Sequence, residues 1–164
     1  MLIDGPVTSS AIDSSGEILE MEGLDISDFL EGKAYANFEH QNKSPEDIVG
    51  IFKSAKKIFS AKDCDNERQK MFWGQLKTPF LYGVCELFDD QDHFGAVAIA
   101  AMLRHFVAKK EKIQIGFSIE GATLKRDGNI LERTIGKKAA ITLKPCNRTC
   151  WVDLLKDTKS EVLK

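Results

Sequence analysis

Residues 113–120 read IQIGFSIE, and their strict alternation constrains the fold more than any other stretch. Ile113, Ile115, Phe117 and Ile119 fall on one side of an extended chain, and Gln114, Gly116, Ser118 and Glu120 on the other. A strand with one apolar face cannot stand alone; it needs a sheet beside it and a core beneath it. Several further segments fit that sheet. Residues 16–25 (GEILEMEGLD) read as a first strand, and residues 34–40 (AYANFEH) as a second. In the second, Ala34, Ala36, Phe38 and His40 share one face, and Tyr35, Asn37 and Glu39 the other. Residues 79–88 (PFLYGVCELF), 130–135 and 139–143 complete the set, with a turn signal at Arg126-Asp127-Gly128-Asn129 and a stop at Pro145.

Helices are fewer. Residues 95–110 are alanine-rich and close on Lys109, Lys110 and Lys112, which suit a helix C-terminus. Residues 63–76 read as a short helix in a long connection. Residues 44–59 carry two signals. Ser44-Pro45-Glu46-Asp47 opens like a helix, with apolar residues at helical spacing behind it, yet Gly50 and many β-formers support a strand. The first fifteen residues, rich in Ser, Gly and Asp, read as a loosely held segment, and residues 151–164 as a tail that is either trimmed or a short amphipathic helix. The expected fold is α+β: a mainly-β, barrel-like core with flanking helices over residues 16–150.

At 164 residues and 43% apolar content the chain supports one domain with a proper core. Twenty-three Lys and Arg balance 25 Asp and Glu, a net −2, which argues against a dedicated nucleic-acid binder. The longest apolar run, near residues 96–107, is broken by Arg104 and His105, so no bilayer span is expected. The opening residues lack a basic start and an apolar core, so no secretory signal is expected, and Cys64, Cys85, Cys146 and Cys150 read as free thiols. Cys146 and Cys150 form C-x3-C, which is not a common zinc spacing.

Chemistry centres on Ser118 and the three histidines. A serine needs a base to act as a nucleophile at neutral pH, and histidine is the usual one. His40, His93 and His105 all precede Ser118. An α/β-hydrolase has the order Ser, acid, His, and residues 116–121 miss its G-x-S-x-G elbow by one position, so that fold is excluded. Gly116 beside Ser118 would let another backbone approach, as a peptide substrate must. His105 reads as a helix-surface residue. The acids Asp89, Asp90 and Asp92 before His93 lack the glycine and glutamate of a calcium loop and read as a solvated loop suiting the helix N-terminus. Lys53, Lys56 and Lys57 read as a solvated basic face.

The order of four pieces resembles the tailed-phage prohead (capsid maturation) serine proteases, which are similar to the herpesvirus assemblins. The pieces are Asn37-Phe38-Glu39-His40-Gln41-Asn42 followed by Ile48-Val49-Gly50; LYGVCELF of residues 81–88, before the alanine-rich helix; Ile115-Gly116-Phe117-Ser118-Ile119-Glu120-Gly121; and the closing KKAAITLKPCN of residues 137–147. The resemblance covers roughly residues 16–150. It implies an assemblin-like fold and a serine endopeptidase that cleaves scaffold and capsid proteins inside the assembling prohead, in the host cytoplasm, and processes itself. It implies Ser118 as nucleophile and His40 as general base, with no cofactor. Possible homo-oligomerisation also follows from the assemblin likeness, while no membrane or nucleic acid is expected as a partner. Such enzymes carry a third residue on the strand near 138–144, but KAAITLK holds no acid or histidine; Thr142, Glu120 and Glu132 are the substitutes. Arg148, after Pro145, is placed for the oxyanion by position alone. Ile18-Leu19-Glu20 and Ile130-Leu131-Glu132 look like apolar-x-Glu cleavage sites. A catalytically impaired capsid or scaffold component of the same fold is the alternative.

Overall fold

The computed structural model describes residues 1–89 and 92–157. The strand expected over residues 113–120 starts three residues later and runs further: β7 (Gly116–Asp127) leaves out residues 113–115, with Ile113 58% exposed, then turns at Gly128 and returns antiparallel as β8 (Ile130–Thr142). The turn needs Gly128, whose φ is +59°. Residues 130–135 and 139–143, read as two strands, belong to this single one, which ends at Thr142. The interruption seen in Gly136-Lys137-Lys138 is only a register shift, where Glu120 pairs with Lys138 and Gly121 with Gly136.

The other edge of β8 takes three short strands in succession, all parallel to it: β2 (Ile18–Leu19), β3 (Leu24–Asp25) and β4 (Tyr35–Phe38). The first expected strand is therefore two, split by a helical turn at Met21–Gly23. A one-turn helix, α1 (Ser27–Leu30), follows and buries Phe29. Beyond β4 the sheet continues antiparallel through β5 (Ile48–Ile58) and β6 (Phe80–Leu87).

Both signals in residues 44–59 are used. Ser44 and Asp47 form a capping box on a single 3-10 turn, and the strand starts at once behind it. A helix there would have to bury Gly50 without gain, whereas in β5 a side chain at Gly50 would meet the Glu86 carbonyl at 2.5 Å. Close strand approach thus decides the contest. The two longer helices match expectation: α2 (Glu67–Leu76), capped by Asn66, and α3 (Phe94–Lys109), capped by the His93 ring. On α3, Ala96, Ile99, Ala100 and Leu103 are buried at the i, i+3, i+4, i+7 spacing of one face.

The loosely held opening is a correction. Leu2–Ser9 forms β1, paired with β6 along its length, with Ile3 and Val7 fully buried. Gly5, Pro6 and Asp4 hide this strand in the sequence. Pro6 sits at a register shift, where a missing N–H is tolerated. Asp4 is buried but satisfied by Arg68 Nε at 3.0 Å and by the Tyr82 hydroxyl at 2.6 Å. The tail is not helical where described: β9 (Asp153–Lys156) pairs with β1. Residues 158–164 lie outside the described residues.

The order across the sheet is β7, β8, the β2–β3–β4 edge, β5, β6, β1 and β9. It is mixed α/β and mostly β, but open rather than a closed barrel. Its ends curl toward each other and meet at one bridge, Gly116 with Trp151. The core fills the inside of the curl, where Phe52 stacks between Phe29 and Phe117 at centroid distances of 5.0 and 5.2 Å.

Candidate active site

Ser118 and His40 come from opposite sides of β8. Ser118 pairs with Ala140 across β7 and β8, and Asn37 pairs with the same Ala140 across β4 and β8. The three therefore form one row across the sheet, on the face opposite Phe117 and Ile141. One pair further along β7, Glu120 lies opposite Lys138. Ala140, with only a methyl group, leaves room above the row. Glu120 uses it: Oε2 accepts from Asn37 Nδ2 at 2.7 Å, and Oε1 lies 2.9 Å from His40 Nδ1. Lys138 does not neutralise Glu120. Its ammonium donates to the Tyr35 hydroxyl at 3.1 Å and sits over that ring.

His40 reaches this face by a device that alternation misses. Continued extension from β4 would put it with Ala34, Ala36 and Phe38, on the core side. Instead β4 ends at Phe38, and Glu39 and His40 both have left-handed φ, +52° and +60°. Two consecutive non-glycine residues there cost about 1–2 kcal/mol each. The Glu39 carboxylate offsets this by tying the turn to the end of β8, accepting from Thr142 Oγ1 at 2.9 Å and from Leu143 N at 3.0 Å. The turn re-aims His40 at Glu120.

Of the three substitutes for the missing acid, only Glu120 meets the imidazole. The Thr142 hydroxyl is engaged by Glu39, and Glu132 pairs with Lys125 at 2.9 Å. A carboxylate on Nδ1 fixes ring orientation and tautomer, leaving Nε2 as the free nitrogen. Asn37 is the member that sequence reading did not single out. It is fully buried, and its other donor contact is Asn42 Oδ1 at 2.9 Å. Its position on the face of Tyr35 and Glu39 was the available signal.

Ser118 is 5% exposed, and no described side-chain hydrogen bond joins it to His40. It lines a cleft of about 230 Å³, together with Glu120, Val7, Ser9 and Thr134. Gly116 serves the chain itself rather than an incoming backbone. A side chain there would meet the Cys150 carbonyl at 2.4 Å, and Phe117 N donates to that carbonyl at 2.9 Å. Arg148 is exposed, while its neighbour Asn147 is buried and donates to the carbonyls of Ser9 and Ala11.

The remaining candidates lie elsewhere. His105 is on the surface of α3, 3.8 Å from Glu111. Asp89 is not solvated: it is 1% exposed and bound by the Met1 ammonium and Arg104. Asp90 lies outside the described residues. Cys64 and Cys146 are half-buried, and Cys85 and Cys150 buried; all four are free thiols. Among the described residues no three His, Cys, Asp or Glu side chains converge on a metal position, and no helix is long and apolar enough to cross a membrane. No match emerged when the chain was compared with protein-family models, with curated proteins and with solved structures.

Proposed function

We propose that the chain is a serine endopeptidase that matures phage proheads by cleaving scaffold and capsid proteins, and that it processes itself. Ser118 is the nucleophile, His40 the general base and Glu120 the residue that orients the base. The observation that carries this reading is the 2.9 Å contact between Glu120 and His40 Nδ1, made from the strand and the face that also bear Ser118. In that arrangement His40 Nε2 takes the proton from Ser118 as Oγ attacks the scissile carbonyl. The acyl-enzyme that forms is released by water, and backbone N–H groups hold the oxyanion. The compartment is the host cytoplasm, inside the assembling prohead, and the core is assemblin-like.

A second reading has its own support. A serine only 5% exposed and without a bond to the imidazole suits a capsid or scaffold component that has lost activity. Co-expression with the capsid and scaffold proteins encoded beside it separates the two. The protease reading expects cleaved scaffold with the wild-type chain and intact scaffold with Ser118→Ala or His40→Ala. Scaffold left whole by the wild-type chain supports the inactive component.

A further inference from the structure

The cleft beside Ser118 is long rather than round. Seven consecutive β7 residues, 117–123, line one wall, a span of roughly 20 Å at strand rise. The opposite wall begins at Val7 and Ser9 of β1 and continues through Asp13, Glu17 and Leu19. The cleft is therefore the seam along which the curled sheet fails to close.

Beyond the bridge at Gly116, the outer edge of β7 pairs with no strand among the described residues. Phe117 N–H points away from β8, since it donates to Cys150. By alternation the next outward peptide group is that of Ile119. No described backbone hydrogen bond outside the β7–β8 ladder takes it. Within the seam, Thr134 is 6% exposed and its hydroxyl has no partner among the described residues. Such an edge and such a hydroxyl both call for an occupant with backbone donors and acceptors.

Charge narrows the occupant. The lining contains three acids, Asp13, Glu17 and Glu120, and neither lysine nor arginine; both Glu120 oxygens are already engaged by Asn37 and His40, which leaves Asp13 and Glu17 as the acids for an occupant. Arg126, from outside the lining, lies against Glu17, but Glu17 Oε2 has no aligned hydrogen bond. The rest of the lining mixes apolar side chains, Val7, Leu19 and Ile119, with hydroxyls such as those of Ser9, Thr123 and Thr134. From these features we infer that the seam binds an extended peptide segment that alternates apolar and basic side chains, added as a strand to the β7 edge beside Ser118. The inference rests on the protease reading for its meaning as substrate recognition. It disfavours acidic residues in the seam, in contrast to the apolar-x-Glu sites expected from the sequence.

The test is a binding measurement on the Ser118→Ala protein, so no hydrolysis is needed. The probe is a fluorescein-labelled peptide of alternating valine and lysine, followed by anisotropy. A valine–glutamate peptide and a lysine peptide with N-methylated alternate amides are the comparisons. Saturable binding is expected for the lysine peptide, roughly tenfold or more weaker for the glutamate peptide. N-methylation should weaken it by roughly threefold to tenfold per blocked bond. Ala122→Lys places a cation on an exposed lining position and should narrow the preference. Hydrogen exchange at the Ile119 amide should slow on binding. No saturable binding, equal binding of both charge types, or indifference to N-methylation would overturn the inference. Binding to Ser118→Ala with no cleavage by the wild-type chain would count against the protease reading alone. Active-site labelling of wild type without peptide binding would count against the seam alone.

Discussion

Glu120 stands between two residues that hold it differently. Asn37 is buried and rigid in β4, while His40 is 46% exposed on a turn. Asn37 therefore fixes the carboxylate and the carboxylate fixes the ring. Glu120→Gln keeps the size but presents an amide to Nδ1, favouring the wrong tautomer. Under the protease reading it should lower kcat by ~10³–10⁴-fold with little change in KM, read from peptide hydrolysis. Asn37→Ala should lower kcat less and cost about 1–3 kcal/mol in urea unfolding, because a buried hydrogen-bonded amide is lost. A separate pH dependence belongs to the buried thiols. Burial pushes Cys150 from 9.0 up to about 12, and raises Cys85 as well. Both keep their protons when folded and lose them when unfolded. Their contribution is whole below about pH 9 and fades as pH climbs above it, toward about 12 for Cys150. Cys150→Ala should flatten that alkaline decline in denaturation curves taken at pH 8 and 10.5; an unchanged slope would assign it elsewhere.

At the scale of elements, Gly116 joins the two ends of the sheet. A methyl group there would press on the Cys150 carbonyl and on Pro145 Cγ, at 2.4 and 2.7 Å. Gly116→Ala should destabilise by about 1–3 kcal/mol and loosen the bridge to Trp151, visible as faster exchange at the Phe117 and Val152 amides. The elements themselves were unevenly legible. α3 and β6 announced themselves because their periodicity is uninterrupted, whereas the alternation at residues 113–120 marked only the first half of β7. β1 did not, since Asp4, Gly5 and Pro6 each read as breakers until Arg68 and Tyr82 are seen around the carboxylate. β5 was hidden by a helical start that caps only one turn. His40 was legible as a residue but not in its direction, because two left-handed residues reverse the face that alternation assigns.

For the molecule as a whole, the sheet's order makes its first strand an interior one. β1 lies between β6 and β9 and supplies Ile3 and Val7 to the core. Removing residues 1–9 should abolish cooperative thermal unfolding rather than trim a loose end; a sharp transition within a few degrees of the intact chain would refute that placement. The same architecture brings His40 to Glu120, two residues along β7 from Ser118, although 80 residues separate His40 and Glu120 in sequence, and no short motif signals such a meeting. The measurement that reaches the central claim most directly is labelling with a fluorophosphonate probe, located by peptide mass spectrometry. The account predicts a single adduct on Ser118 of the wild-type chain, absent from Ser118→Ala and His40→Ala and strongly slowed in Glu120→Gln. Failure of Ser118 to label, or labelling that ignores both His40→Ala and Glu120→Gln, would contradict it.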